Sequence, residues 1–140
     1  MRQSVGMRPV IFGLADGAMS ITGVILYAAG HTGSVFPLAL SGGVSAAISM
    51  AAGEWLSTSE NGPVASMTMG AATLAGSVLP AIPYAFLTGW RAPAVSVIIL
   101  AGVAVAVARL RSQRKHPYAE TFAALALVLA ASVACVLLIR

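Results

Sequence analysis

Residues 10–23 read Val-Ile-Phe-Gly-Leu-Ala-Asp-Gly-Ala-Met-Ser-Ile-Thr-Gly, and residues 46–57 read Ala-Ala-Ile-Ser-Met-Ala-Ala-Gly-Glu-Trp-Leu-Ser. Each belongs to an apolar stretch of membrane-crossing length, and each carries one carboxylate, Asp16 or Glu54, within about a turn of a methionine, Met19 or Met50. An ionisable group inside a bilayer costs roughly 2.5–3.5 kcal/mol on insertion scales, so such residues line a pathway or find a partner. Helix packing alone requires neither acid.

The rest of the chain agrees with a bilayer as solvent. Of 140 residues, 59% are apolar and only 9% charged, and the mean hydropathy is +0.91, well outside the composition of soluble domains. Five apolar segments can be drawn, at about 9–29, 35–57, 64–88, 92–110 and 120–139, each long enough for one helical crossing. The expected fold is an all-α membrane protein of five transmembrane helices forming one domain over 1–140, with no sizeable water-exposed domain. Tight, Gly-containing links at 30–34 and 89–91 make neighbouring helices antiparallel.

The formal charge of +4 would point to nucleic acid in a soluble protein; here the basic residues lie between apolar segments and report orientation. Arg2, Arg8, Arg109, Arg111, Arg114 and Lys115 fall on one side and Arg91 and Arg140 on the other. The positive-inside rule then places the N-terminus in the cytosol and the C-terminus outside. This split requires an odd number of spans. The first apolar run, which contains Asp16 and lacks a convincing cleavage site, reads as a retained helix rather than a signal peptide. The single Cys135 has no partner for an internal disulfide.

Within the first helix Asp16 and Met19 are three apart and share a face, flanked by the hydroxyls of Ser20 and Thr22; within the second, Met50 and Glu54 are four apart and share a face. If the two faces met, carboxylate oxygens and thioether sulfurs would suit a borderline first-row divalent ion such as Fe²⁺ or Mn²⁺ better than Mg²⁺ or Ca²⁺, which want oxygen alone. A desolvated carboxyl holds its proton until a cation displaces it, which couples metal to protons. Plainer roles stay open: methionine as packing material, and Glu54 reaching to the interface beside Trp55. His31, in a loop on the outside, reads as solvated, and His116 sits in a cationic patch with Arg114 and Lys115. Pro80 and Pro83 break or kink the third helix, as part of a pathway or as a static packing feature. Small residues at Gly13, Gly17, Gly42, Gly43, Gly53, Gly70 and Gly76 allow close helix approach in the first three spans. The last two spans, rich in Ala, Val and Leu, read as more lipid-facing.

Three motifs together resemble the vacuolar iron transporter family: Phe12-Gly-Leu-Ala-Asp-Gly, Ala47-Ile-Ser-Met-Ala-Ala-Gly-Glu-Trp-Leu-Ser and Leu79-Pro-Ala-Ile-Pro-Tyr. The resemblance implies a five-span homodimer that exports Fe²⁺ or Mn²⁺ from the cytosol in exchange for protons, along a path between the first helices of the two subunits. By motif, Asp16 is similar to the family's first-span aspartate, a ligand and proton acceptor, and Met50 to its second-span methionine, a soft ligand. Glu54 is similar to the glutamate of the Gly-Glu-aromatic-Leu-Ser motif, the first ligand met from the cytosol. The chain departs from the family in having only Thr58-Ser-Glu-Asn-Gly-Pro where a long Glu-rich insertion is usual, leaving Glu60 alone there, and in carrying Pro9 where many members are acidic and Gly42 where some have glutamate.

The expected function is therefore divalent-metal transport with Asp16, Met19, Met50 and Glu54 as metal-path residues. The metal is the substrate, no cofactor is expected, and the cell membrane is the default location. Protons, lipid and a second copy of the chain are the expected partners, and nucleic acid is not. A membrane scaffold or regulatory subunit of the same family is the rival reading, and a transporter of another cation a third. No nucleophile with a base and no paired histidines point to an enzyme.

Overall fold

In the computed structural model, residues 7–31, 33–57, 62–111 and 115–139 are described. Arg2, Glu60, Arg114 and Arg140 lie outside them. The described chain is all-helical: α1 (Met7–His31), α2 (Val35–Ser57), α3 (Gly62–Val78), a 3₁₀ turn (Leu79–Ala81), α4 (Pro83–Phe86), α5 (Arg91–Leu110) and α6 (Pro117–Leu138). Five segments are long and apolar enough to cross a membrane, with the third running Gly62–Ala81 through the 3₁₀ turn. A bilayer offers backbone groups no other partner, so an apolar chain of this length settles its hydrogen bonds within each helix.

Proline and glycine set the limits of these helices. Five of the seven prolines, Pro9, Pro37, Pro63, Pro93 and Pro117, stand within the first three residues of a membrane-length helix, where the missing N–H has no intrahelical acceptor. The links turn at Gly33, Gly62 and Gly89, whose φ values of 67°, 63° and 63° suit residues without a Cβ.

The remaining two prolines end the third span early. Sequence reading carries that span to Thr88, whereas helix geometry stops at Ala81, and Pro83 starts the short α4. The break is closed by protein: Ser96 Oγ of α5 donates to the Pro80 carbonyl at 2.7 Å, and Pro80, Ala81 and Pro83 are buried. This favours the static reading of the prolines over a water-lined gap.

α3 is the axis of the bundle. Half of its apolar window is buried, against 6% for α6. α1 and α3 run parallel and so close that backbone meets backbone. A Cβ on Gly13 would lie 2.6 Å from the Met69 carbonyl oxygen, one on Gly76 would lie 2.5 Å from that of Leu14, and one on Gly17 would collide with that of Thr73. The glycine pair in α1 thus has a direct packing cause. α2 runs antiparallel to both neighbours, with its Gly43 against Ser77 and its Ala47 carbonyl against Gly70. The apolar core lies toward the opposite end from Arg8 and Arg109, where Ile21, Ile25, Ala28, Val35, Ala39 and Ala81 pack with Val24, Phe36 and Tyr84.

Buried hydroxyls lock the seam. Thr73 donates to the Met69 carbonyl at 2.9 Å, and Ser77 Oγ lies 2.9 Å from the Thr73 carbonyl and 3.3 Å from that of Gly17 on α1. α6 closes on α1 at Gly23, which faces Ser132, and the α5–α6 link is held by the Arg111–Glu120 ion pair at 3.0 Å. α6 fits the lipid-facing expectation; α5, with 22% of its window buried, is no more exposed than α2.

Candidate functional site

The four sequence-predicted ligands divide into two places. On α1, Asp16, Met19 and Gly23 follow one another at spacings of three and four, which defines one stripe. Gly23 of that stripe faces α6, and Met19 lines a shallow apolar cavity with Ala15 and Ala18 of α1, Leu100 and Val107 of α5, and Leu125 of α6. Ile21 and Ile25, the α1 residues packed on α2, lie on another side of the helix. Asp16 therefore does not face α2 within one chain.

Glu54 also stands at another level. Ile21 meets Gly42 across the antiparallel α1–α2 pair, so Asp16 is level with Ala47 and Glu54 with Pro9. The seven-residue offset amounts to about 10 Å along the axis at 1.5 Å per residue. One subunit does not bring Asp16 and Glu54 together, and no group of three His, Cys, Asp or Glu residues clusters among the described residues.

Asp16 is half-buried, and among the described residues no group forms a hydrogen bond or ion pair with its carboxylate. Its neighbours along the helix surface are polar. Ser20, four residues on, is exposed, and Tyr27 and His31 continue at spacings of seven and four. At the helix end the His31 ring stacks on Tyr27 with centroids 4.5 Å apart. His31 Nδ1 lies 2.9 Å from the Tyr27 carbonyl; a carbonyl only accepts, so the contact is a hydrogen bond in the tautomer that carries its proton on Nδ1. Thr22, expected to flank Asp16, instead donates to the Ala18 carbonyl at 2.8 Å and is buried.

On α2 the spacing of Gly43, Ala47, Met50 and Glu54 is four, three and four, a single stripe, and its first two members pack on α3. Met50 and Glu54 continue that stripe toward the end of the bundle that carries Arg8, Arg109 and Lys115, and both are half-buried. Trp55 and Leu56, next in sequence, are exposed. Across from this stripe α3 presents Ser77, Thr73, Gly70 and Ser66, and the Ser66 hydroxyl is buried without a hydrogen-bond partner. Sequence reasoning missed Ser66. Its signal was a run of small polar residues at helical spacing, complementary to the run on α2.

The arrangement could offer a cation two separate stations on α1 and α2: a half-buried carboxylate on α1, and a half-buried carboxylate with a thioether on the stripe of α2 that continues from its α3 contacts. No curated protein and no solved structure matches the chain. Residues 7–64 match the model of the VIT family, a stretch that holds all of α1 and α2 and both stations. Over these two helices the chain is similar to the VIT family.

Proposed function

We propose that the chain exports Fe²⁺ or Mn²⁺ from the cytosol in exchange for protons, as a homodimer in the cell membrane. The VIT family supports membrane metal-ion transport in general terms, and the observation that carries the more specific reading is the Asp16 carboxylate. It sits half-buried about two turns into an apolar helix, with no bonding partner among the described residues, in line with the exposed Ser20 and Tyr27 on one stripe of α1. Such a group is costly to keep in lipid. A second α1 packed along this stripe would enclose a path lined by Asp16 and Ser20 of both subunits. Two carboxylates there would hold a divalent ion and take up protons when it leaves.

In this reading the basic end of the bundle faces the cytosol, Glu54 and Met50 receive the ion, and Asp16 passes it on. Met19 faces the cavity between α5 and α6 and contributes packing more readily than ligation. The rival, a non-transporting scaffold, draws on the short 58–61 link between α2 and α3.

Proteoliposomes under an imposed pH gradient test the proposal. Fe²⁺ or Mn²⁺ flux with counter-movement of protons is expected from the native chain and loss of flux from Asp16→Asn. Flux unchanged in Asp16→Asn would refute the path, and a folded native chain that moves neither metal would favour the scaffold.

A further inference from the structure

Ser66 differs from the other buried hydroxyls among the described residues, all of which find an acceptor; Ser96 reaches the Pro80 carbonyl of another helix. Thr22, Thr73, Ser77 and Thr121 each donate to the carbonyl four residues back, the usual refuge of a hydroxyl in a membrane helix. Ser66 is 6% exposed, yet its Oγ makes no bond to the Gly62 carbonyl or to any other group among the described residues. A buried hydroxyl without a partner is destabilising, and alanine, already present at Ala47, Ala51 and Ala65 nearby, would fill such a place without that loss.

The register of the α2–α3 seam sets the level of Ser66 along α2. Gly43 lies against Ser77, and Gly70 lies against both Ala47 and Ala51. Continuing one turn down α3 and one turn along α2 in the opposite sense sets Ser66 level with Glu54, with Met50 one turn farther into the bundle. Both Glu54 and Met50 belong to the α2 stripe that turns to α3.

We infer that the Ser66 hydroxyl is an oxygen ligand which, with the Glu54 carboxylate across the seam and the Met50 thioether beyond it, holds a divalent cation at the basic end of the bundle. The inference rests on the transport reading and deepens it by adding a ligand from α3. Neutral oxygen beside one carboxylate lowers the charge of the station, which lets an ion be held and then released inward. The sulfur favours borderline ions over Mg²⁺ and Ca²⁺.

The test is Mn²⁺ titration of the purified full chain in detergent, read by calorimetry and by the metal-induced rise in melting temperature. Native protein is compared with Glu54→Gln, Ser66→Ala and Ser66→Cys. Without metal, Ser66→Ala is expected to melt no lower than the native chain, while its Mn²⁺ affinity falls by about tenfold or more, as for other losses around a metal. Ser66→Cys is expected to shift preference from Mn²⁺ toward Cd²⁺ by about tenfold, because thiolate is the softer ligand. If Ser66→Ala does not fold, the cysteine variant decides the matter. Native Mn²⁺ affinity in Ser66→Ala, or a native Cd²⁺/Mn²⁺ ratio in Ser66→Cys, overturns the inference. Binding that needs Glu54 but not Ser66 overturns it while the transport reading stands; a native chain that binds neither Mn²⁺ nor Fe²⁺ overturns both.

Discussion

α3 and α6 are both apolar helices of the same bundle, yet they are held by different means. α3 is packed on two sides through glycine, serine and threonine, with half of its apolar window buried. α6 is built of Ala, Leu and Val, buries only Thr121 fully, and meets the rest of the bundle along one edge. Lipid tails are as apolar as leucine, so apolar side chains give a membrane helix no reason to leave lipid. Close backbone approach and interhelical hydrogen bonds do, and α3 has both. The most hydrophobic helix is consequently the least integrated one.

Substitutions can break or sharpen this contrast. The largest effect is expected from Gly17→Leu, since even a Cβ there collides with the Thr73 carbonyl oxygen. Overpacking of about 3 kcal/mol or more should abolish cooperative melting of the detergent-solubilised chain. Ser96→Ala should cost about 1–3 kcal/mol, read as a lower melting temperature, because the buried Pro80 carbonyl loses its donor. Arg111→Ala should cost less than about 1 kcal/mol, since its ion pair with Glu120 is partly exposed at the α5–α6 link. Gly102→Ala, where a Cβ would meet nothing within 4 Å, should leave melting unchanged or raise it slightly. A Gly102→Ala loss as large as that of Gly17→Leu would show that glycine acts in this bundle through helix flexibility rather than contact.

Much of this contrast is legible in the sequence. The five apolar segments, the glycine pair Gly13 and Gly17 and the plain composition of the last helix can all be read from the order of residues alone. What a helical repeat supplies is phase within one helix: Asp16 with Met19, Met50 with Glu54. It does not supply the rotation of one helix relative to the next, which depends on contacts such as Gly43 with Ser77 and Gly23 with Ser132. For that reason Asp16 and Glu54, compatible by helical phase, stand on different sides and levels of a single subunit. Thr22 turned inward for a similar reason, since its own helix offered the Ala18 carbonyl. The end of the third span was hidden because the apolar residues continue past it; only the two prolines mark the change, and their Ser96 tie lies 16 residues away.

The early stop of the third span also bears on the bilayer itself. Gly62–Ala81 has 20 residues, about 30 Å at 1.5 Å per residue, which equals the hydrocarbon thickness of an ordinary membrane. α1, with 25 residues, is about 37 Å long and exceeds that thickness by more than a turn. The central helix has no such slack, and beyond it the exposed Phe86 and Trp90 are suited to the headgroup layer. Hydrophobic mismatch would therefore be felt first at the axis of the bundle. Thicker membranes would strain the seam that holds α1 in register before they disturbed the outer helices.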